Sequence, residues 1–119
     1  MMRCKVKFTD ELGFITMKIE GQTLDVAEAA DVILEVLENI VIHSVEQGVL
    51  LVEPDVDTVL DMMITTDNED YYIELDGVDF ATDEAKVTAI IFGLHNTINC
   101  LESNTLELDD LFVGSNNMH

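Results

Sequence analysis

Residues 4–21 read CKVKFTDELGFITMKIEG, and this stretch decides the fold. Cys4, Val6 and Phe8 alternate with Lys5, Lys7 and Thr9, while Ile15, Met17 and Ile19 alternate with Thr16, Lys18 and Glu20. A period of two marks strands with one buried face, and Asp10-Glu11-Leu12-Gly13 between them supplies a turn. The reading is a hairpin, ended by Gly21, with one apolar face and one face bearing basic residues. An apolar sheet face has to be covered by another layer.

The chain beyond Gly21 offers that layer. Residues 25–47 predict a long helix, capped by Thr23 or Asp25 and closed by Gly48. Val26, Ala29, Ala30, Ile33, Leu34, Val36, Leu37, Ile40, Val41 and Val45 cover about half its circumference, wider than the ~100° stripe a surface helix needs. Such an arc is either wedged between layers or part of a dimer interface. Val49–Val52 reads as a short extended run stopped by Pro54. The segment 55–66 fits helical spacing at Val56, Val59, Leu60, Met63 and Ile64. It nevertheless leads into a 67–70 turn and a clear strand, Tyr71 to Leu75, which favours a second hairpin preceded by one helical turn at Asp55. A second helix runs from Asp83 to Leu101, with Val87, Ile90, Ile91, Leu94, Ile98 and Leu101 as its apolar stripe. Leu106, Leu108, Leu111, Phe112 and Val113 let the polar tail dock as a strand or short helix.

The expected class is α+β: an antiparallel sheet of four or five strands with two helices on one face. One domain is expected over residues 1–102, followed by a partly docked polar tail, 103–119. Sliding the chain 56 positions onto itself superposes both turns and sets Gly21 on Gly77, which suggests a ββα-ββα pseudo-repeat.

Charge sets the functional expectations. The chain of 119 residues carries 25 Asp and Glu against 5 Lys and Arg, a formal net charge of −20. Arg3, Lys5, Lys7 and Lys18 lie in the first eighteen residues, so the remainder holds twenty-three acids and one cation, Lys86. Such a field repels nucleic acid and anionic membrane and attracts basic protein surfaces. Hydrophobic residues make up 48%, too many for a disordered acidic chain. No signal-like or membrane-spanning run occurs, and Cys4 and Cys100 have no metal-binding or redox spacing. A cytoplasmic protein with reduced thiols is expected.

Helix 1 carries the sharpest feature. Asp25 leads a row of acids, of which Glu28, Asp31, Glu35, Glu38 and Glu46 share one face with Ile42, and no cation interrupts them. Like charges at this spacing cost roughly 0.2–0.5 kcal/mol per pair. From Glu28 to Glu46 the row spans about 27 Å, enough to imitate a phosphate strand in a groove lined by Lys and Arg. It equally fits a plain solvated helix face. Around hairpin 2, Glu69, Asp70, Glu74 and Asp76 form a second acidic patch, and Phe92 among polar neighbours on helix 2 offers an aromatic anchor. The calcium-loop pattern is absent, the three histidines share no metal spacing, and no nucleophile or phosphate-loop motif occurs. Neither catalysis nor a cofactor is expected.

No stretch matches a family closely enough to name one. The general profile is similar to that of phage- or mobile-element-encoded inhibitors that mimic nucleic acid, including anti-restriction and anti-CRISPR proteins. That similarity covers no aligned residue. It implies an acidic protein-binding inhibitor that blocks the basic site of a nuclease or other nucleic-acid-binding protein; a homodimer is expected separately, from the wide apolar arc of helix 1. The alternatives are an immunity protein against a cationic toxin and a small dimeric secretion chaperone working through the apolar arc of helix 1.

Overall fold

The computed structural model describes residues 2–21, 26–67 and 70–113. Strands β1 (Met2–Thr9) and β2 (Thr16–Gly21) form the first hairpin, and helix α1 (Val26–Glu46) follows. Strands β3 (Val59–Asp67) and β4 (Asp70–Asp76) form the second, and helix α2 (Glu84–Glu102) follows it. A 3-10 turn, Leu108–Leu111, then leads into a two-residue strand, β5 (Phe112–Val113).

The sheet order is β4-β3-β1-β2-β5. The four long strands are antiparallel neighbours, and β5 lies parallel to β2. The two hairpins join through β1 and β3, with Val6 opposite Leu60 and Cys4 opposite Met62. One face is therefore continuous and apolar. Cys4, Val6, Phe8, Met17, Ile19, Leu60, Met62 and Ile64 are buried there in one cluster with Ile33 and Leu37 of α1, Ile90 and Leu94 of α2, and Leu111. Fully burying one such side chain contributes about 1.5–3 kcal/mol, so this burial holds both helices on this face.

The apolar arc of α1 is mostly core. Ala30, Ile33, Val36 and Leu37 are buried, and Leu34, Ile40 and Val41 are half-buried against the cluster. Val45 is 60% exposed, and the side chains of Val26 and Ala29 lie outside the described residues. The helix ends as expected: Val49 N–H donates to the Ser44 carbonyl and Gly48 N–H to that of Val45, with Gly48 at φ 78°. This paired closure needs a left-handed residue after the last turn, which glycine adopts without strain. The proposed caps Thr23 and Asp25 lie outside the described residues.

Helix α2 departs from its expected stripe. Its buried face includes Ala89, Gly93, Thr97 and Cys100 beside Val87, Ile90 and Leu94, while Ile91, Ile98 and Leu101 are only half-buried. Small residues let the helix approach the sheet closely over Phe8. The Thr97 hydroxyl accepts the Met17 amide at 3.0 Å, and Asn96 donates to the Ile15 carbonyl at 2.9 Å. Thr88, which lies off the expected apolar stripe, is buried and accepts the Val52 amide from the 49–52 run, which pairs with no strand among the described residues.

The segment 55–66 is a turn followed by strand, as favoured, with Asp57 N–H donating to the Asp55 carboxylate. The pseudo-repeat is not confirmed. Leu37 and Gly93, which the 56-residue shift makes equivalent, seat their helices by opposite means, one with a large side chain and the other with none. No helix among the described residues is long and apolar enough to cross a membrane.

Candidate functional site

The acids of α1 are set by the burial of the opposite side of the helix. With Ala30, Ile33 and Leu37 against the sheet, Asp31, Glu35, Glu38 and Glu46 are all exposed, and Ile42 among them is 55% exposed. At about 1.5 Å of rise per residue, Asp31, Glu35 and Glu38 stand about 6 Å and 4.5 Å apart along the axis. That approaches the ~3.4 Å charge spacing of one nucleic-acid strand. Asp31, Glu38 and Glu46 form no ion pair among the described residues. Glu28 lies in the first turn of the helix, and Asp25 lies outside the described residues. Toward the C-terminal end the row turns apolar, where Val45 adjoins Ile42 in sequence and exposure. Helical spacing places Val45 on the apolar arc, and it is exposed because the arc continues past the point where the sheet supports it.

The second acidic patch faces the other way. Ile73 and Leu75 pack against the core cluster, so Tyr72, Glu74 and Asp76 project from the uncovered face of the sheet, and Tyr72 is 59% exposed. Asp70 begins β4 and is exposed, and Glu69 lies outside the described residues. The carboxylates of α1 and of hairpin 2 thus occupy opposite layers and do not form one surface. Several neighbouring acids serve the backbone: Asp76 accepts from Gly77 N–H, Asp79 from Ala81 N–H, and Asp83 from Asp79 N–H. Phe92 is on α2, away from the α1 row, 37% exposed and one turn beyond Thr88.

The uncovered sheet face also carries the cations. Arg3, Lys5, Lys7 and Lys18 alternate with the buried residues of β1 and β2, and register sets Lys5 beside Asp61 and Glu20, and Arg3 beside Met63. Lys7 pairs with Glu20 at 2.8 Å, which holds the Glu20 carboxyl below its usual range, and Lys18 approaches Glu11 at 3.9 Å. The sequence located the basic half of this face but not its acidic half, because the β1–β3 pairing that brings Asp61, Glu74 and Asp76 alongside leaves no local signal.

Between α1 and the end of β4, Asn39, Ile40, His43, Ser44, Leu75 and Phe80 line an open apolar cleft of about 300 Å³, which holds none of the expected site residues. Among the described residues no group of three His, Cys, Asp or Glu is placed to hold a metal ion. Both cysteines are buried and free, and burial pushes the Cys4 thiol up to about 11. No family model matches the chain, and neither a curated protein nor a solved structure matches it.

Proposed function

We propose that this chain is an acidic, non-catalytic inhibitor that presents the outer face of α1 in place of a nucleic-acid strand. Its target on this reading is the Lys- and Arg-lined site of a nuclease or other nucleic-acid-binding protein. The observation that carries the reading is the exposed row Asp31, Glu35, Glu38 and Glu46 on a helix whose other side is fixed in the core. A carboxylate row on a rigid helix meets guanidinium and ammonium groups with little ordering cost. Ile42, exposed within the row, adds an apolar contact of the kind that anchors interfaces. The chaperone alternative draws less support, since the apolar arc it would use is largely spent on the sheet.

The test is capture from nuclease-treated host lysate at about 0.1 M and 0.5 M salt, followed by binding measurements on the purified target. Asp31→Asn, Glu35→Gln and Glu38→Gln together remove charge and keep shape. The expected result is a basic nucleic-acid-binding target, captured at the lower salt and displaced by its own nucleic acid. The triple variant should weaken binding by at least about tenfold. Unchanged affinity of the triple variant at physiological salt overturns the reading, and a cationic toxin as target would redirect it to an immunity role.

A further inference from the structure

The uncovered sheet face stands apart from the rest of the molecule in its charge. Four of the five cations of the chain lie on it, on β1 and β2. On the adjoining strands β3 and β4 it holds Asp61, Glu74 and Asp76. Positive and negative halves therefore lie side by side, their centres about 10 Å apart at the usual strand spacing. Lys7 and Glu20 satisfy each other within the sheet. Arg3 directs a guanidinium nitrogen to the Met63 sulfur at 3.3 Å, and Lys5, flanked by Glu20 and Asp61, closes an ion pair with neither among the described residues. Their charges are left for a partner.

We propose that this face is a self-association surface and that its occupant is a second copy of this chain. A two-fold axis running along the strands between β1 and β3 lays β1 and β2 of one copy over β3 and β4 of the other. Basic half then meets acidic half twice, the reciprocity an isologous interface requires. Half-buried Val59 and Met63 on β3 add apolar contact near the axis, and exposed Tyr72 adds it at the β4 rim. On the outer face of α1 a second copy would meet acid with acid. Four strands of this length offer a face of about 20 by 27 Å, at the small end of stable interfaces, so the dimer is weak and depends on charge order. Pairing through the sheet leaves both α1 rows outward. The inference does not rest on nucleic-acid mimicry, which is read by target binding rather than by mass.

Sedimentation equilibrium at about 10 to 300 µM and about 0.15 M salt, where screening confines the effect to contacting charges, tests it. Arg3→Glu with Lys5→Glu makes both halves acidic, and Asp61→Lys with Glu74→Lys makes both basic. All four positions are solvent-facing, and circular dichroism and melting confirm that each variant is folded. The expected result is a concentration-dependent wild-type dimer, two variants that stay monomeric, and a mixture that associates at least about tenfold more tightly than wild type. A wild type that stays monomeric throughout, a single variant that dimerises as well as wild type, or a mixture that does not associate overturns the proposal. Any of these would leave the face to a partner other than this chain.

Discussion

Gly93→Ala isolates the feature on which the α2 packing depends. A Cβ at this position would lie 2.5 Å from Cδ1 of Phe8, 3.1 Å from its Cε1 and 3.3 Å from Cγ2 of Ile15. Carbon atoms prefer about 3.5–4.0 Å, so the ring or the helix must move by about 1 Å. Phe8 is fully buried and its ring has no flexible end to swing away. Moving α2 instead disturbs Ala89, Ile90 and Leu94 together, along with the hydrogen bond from Met17 to Thr97. Overpacking of this kind costs about 1–3 kcal/mol, and can exceed that at so short a contact. Opposing it, alanine in a helix interior is favoured over glycine by about 1 kcal/mol. The packing cost wins: the substitution should lower stability by about 1–2 kcal/mol, and the melting temperature by about 4–8 °C. Urea titration measures it, with an unchanged slope showing that only stability has moved. In a Phe8→Leu background the added methyl finds room, and its cost should shrink by about 1 kcal/mol or change sign. A Gly93→Ala protein as stable as wild type or more so, or an equal cost in both backgrounds, refutes the close-approach reasoning.

Two further outcomes follow from single buried groups. Thr97→Val keeps the side-chain shape but strands the buried Met17 amide, so it should cost about 1–3 kcal/mol by denaturant titration, while Thr97→Ser keeps the acceptor and should cost less. The Cys4 thiol, raised from 9.0 to about 11, keeps its proton in the folded state where the unfolded chain releases it. Its contribution is therefore complete below about pH 9 and is lost as pH rises toward 11, by about 2–3 kcal/mol in all. Urea midpoints measured from pH 7 to 10.5 should fall more steeply for wild type than for Cys4→Ala, and parallel curves would refute the assignment.

The parts of this fold legible in the sequence are those with a local period. Alternation marked the first hairpin, the 67–70 turn and the strand after it marked the second, helical spacing marked both helices, and Gly48 marked the end of α1 as its positive φ requires. What escaped was long-range or carried by small residues. Counting large apolar side chains picked Ile91, Ile98 and Leu101 for α2 and passed over Ala89, Gly93 and Thr97, because a helix seated close to a Phe-bearing strand is buried by what it lacks. Thr88 reads as polar surface until the 49–52 run crosses it and spends its hydroxyl on a backbone amide. Strand order has no local signature either, so the charge-divided sheet face is visible only once β1 and β3 are paired. The α1 row was legible because helical geometry alone decides which of its side chains share a face.

Several acids of this chain serve its backbone and its sheet. Asp55, Asp76, Asp79, Asp83 and Asp110 accept backbone N–H groups at turns and element ends, where such donors would otherwise go unmet. Glu20 holds Lys7 across the sheet. Asp31 and Glu38 form no ion pair among the described residues, and with Glu35 they sit in the interior of α1, where the backbone amides are already committed to the helix. By the like-charge rule their spacing lowers helix stability rather than raising it. A row of like charges that is exposed along the outer side of its helix, at a spacing that acts against that helix, points outward, to a partner. The triple variant that removes these charges should accordingly be as stable as wild type or more so, even as it loses its target. Loss of stability together with binding would instead make the row a structural part of α1 and remove the case for mimicry.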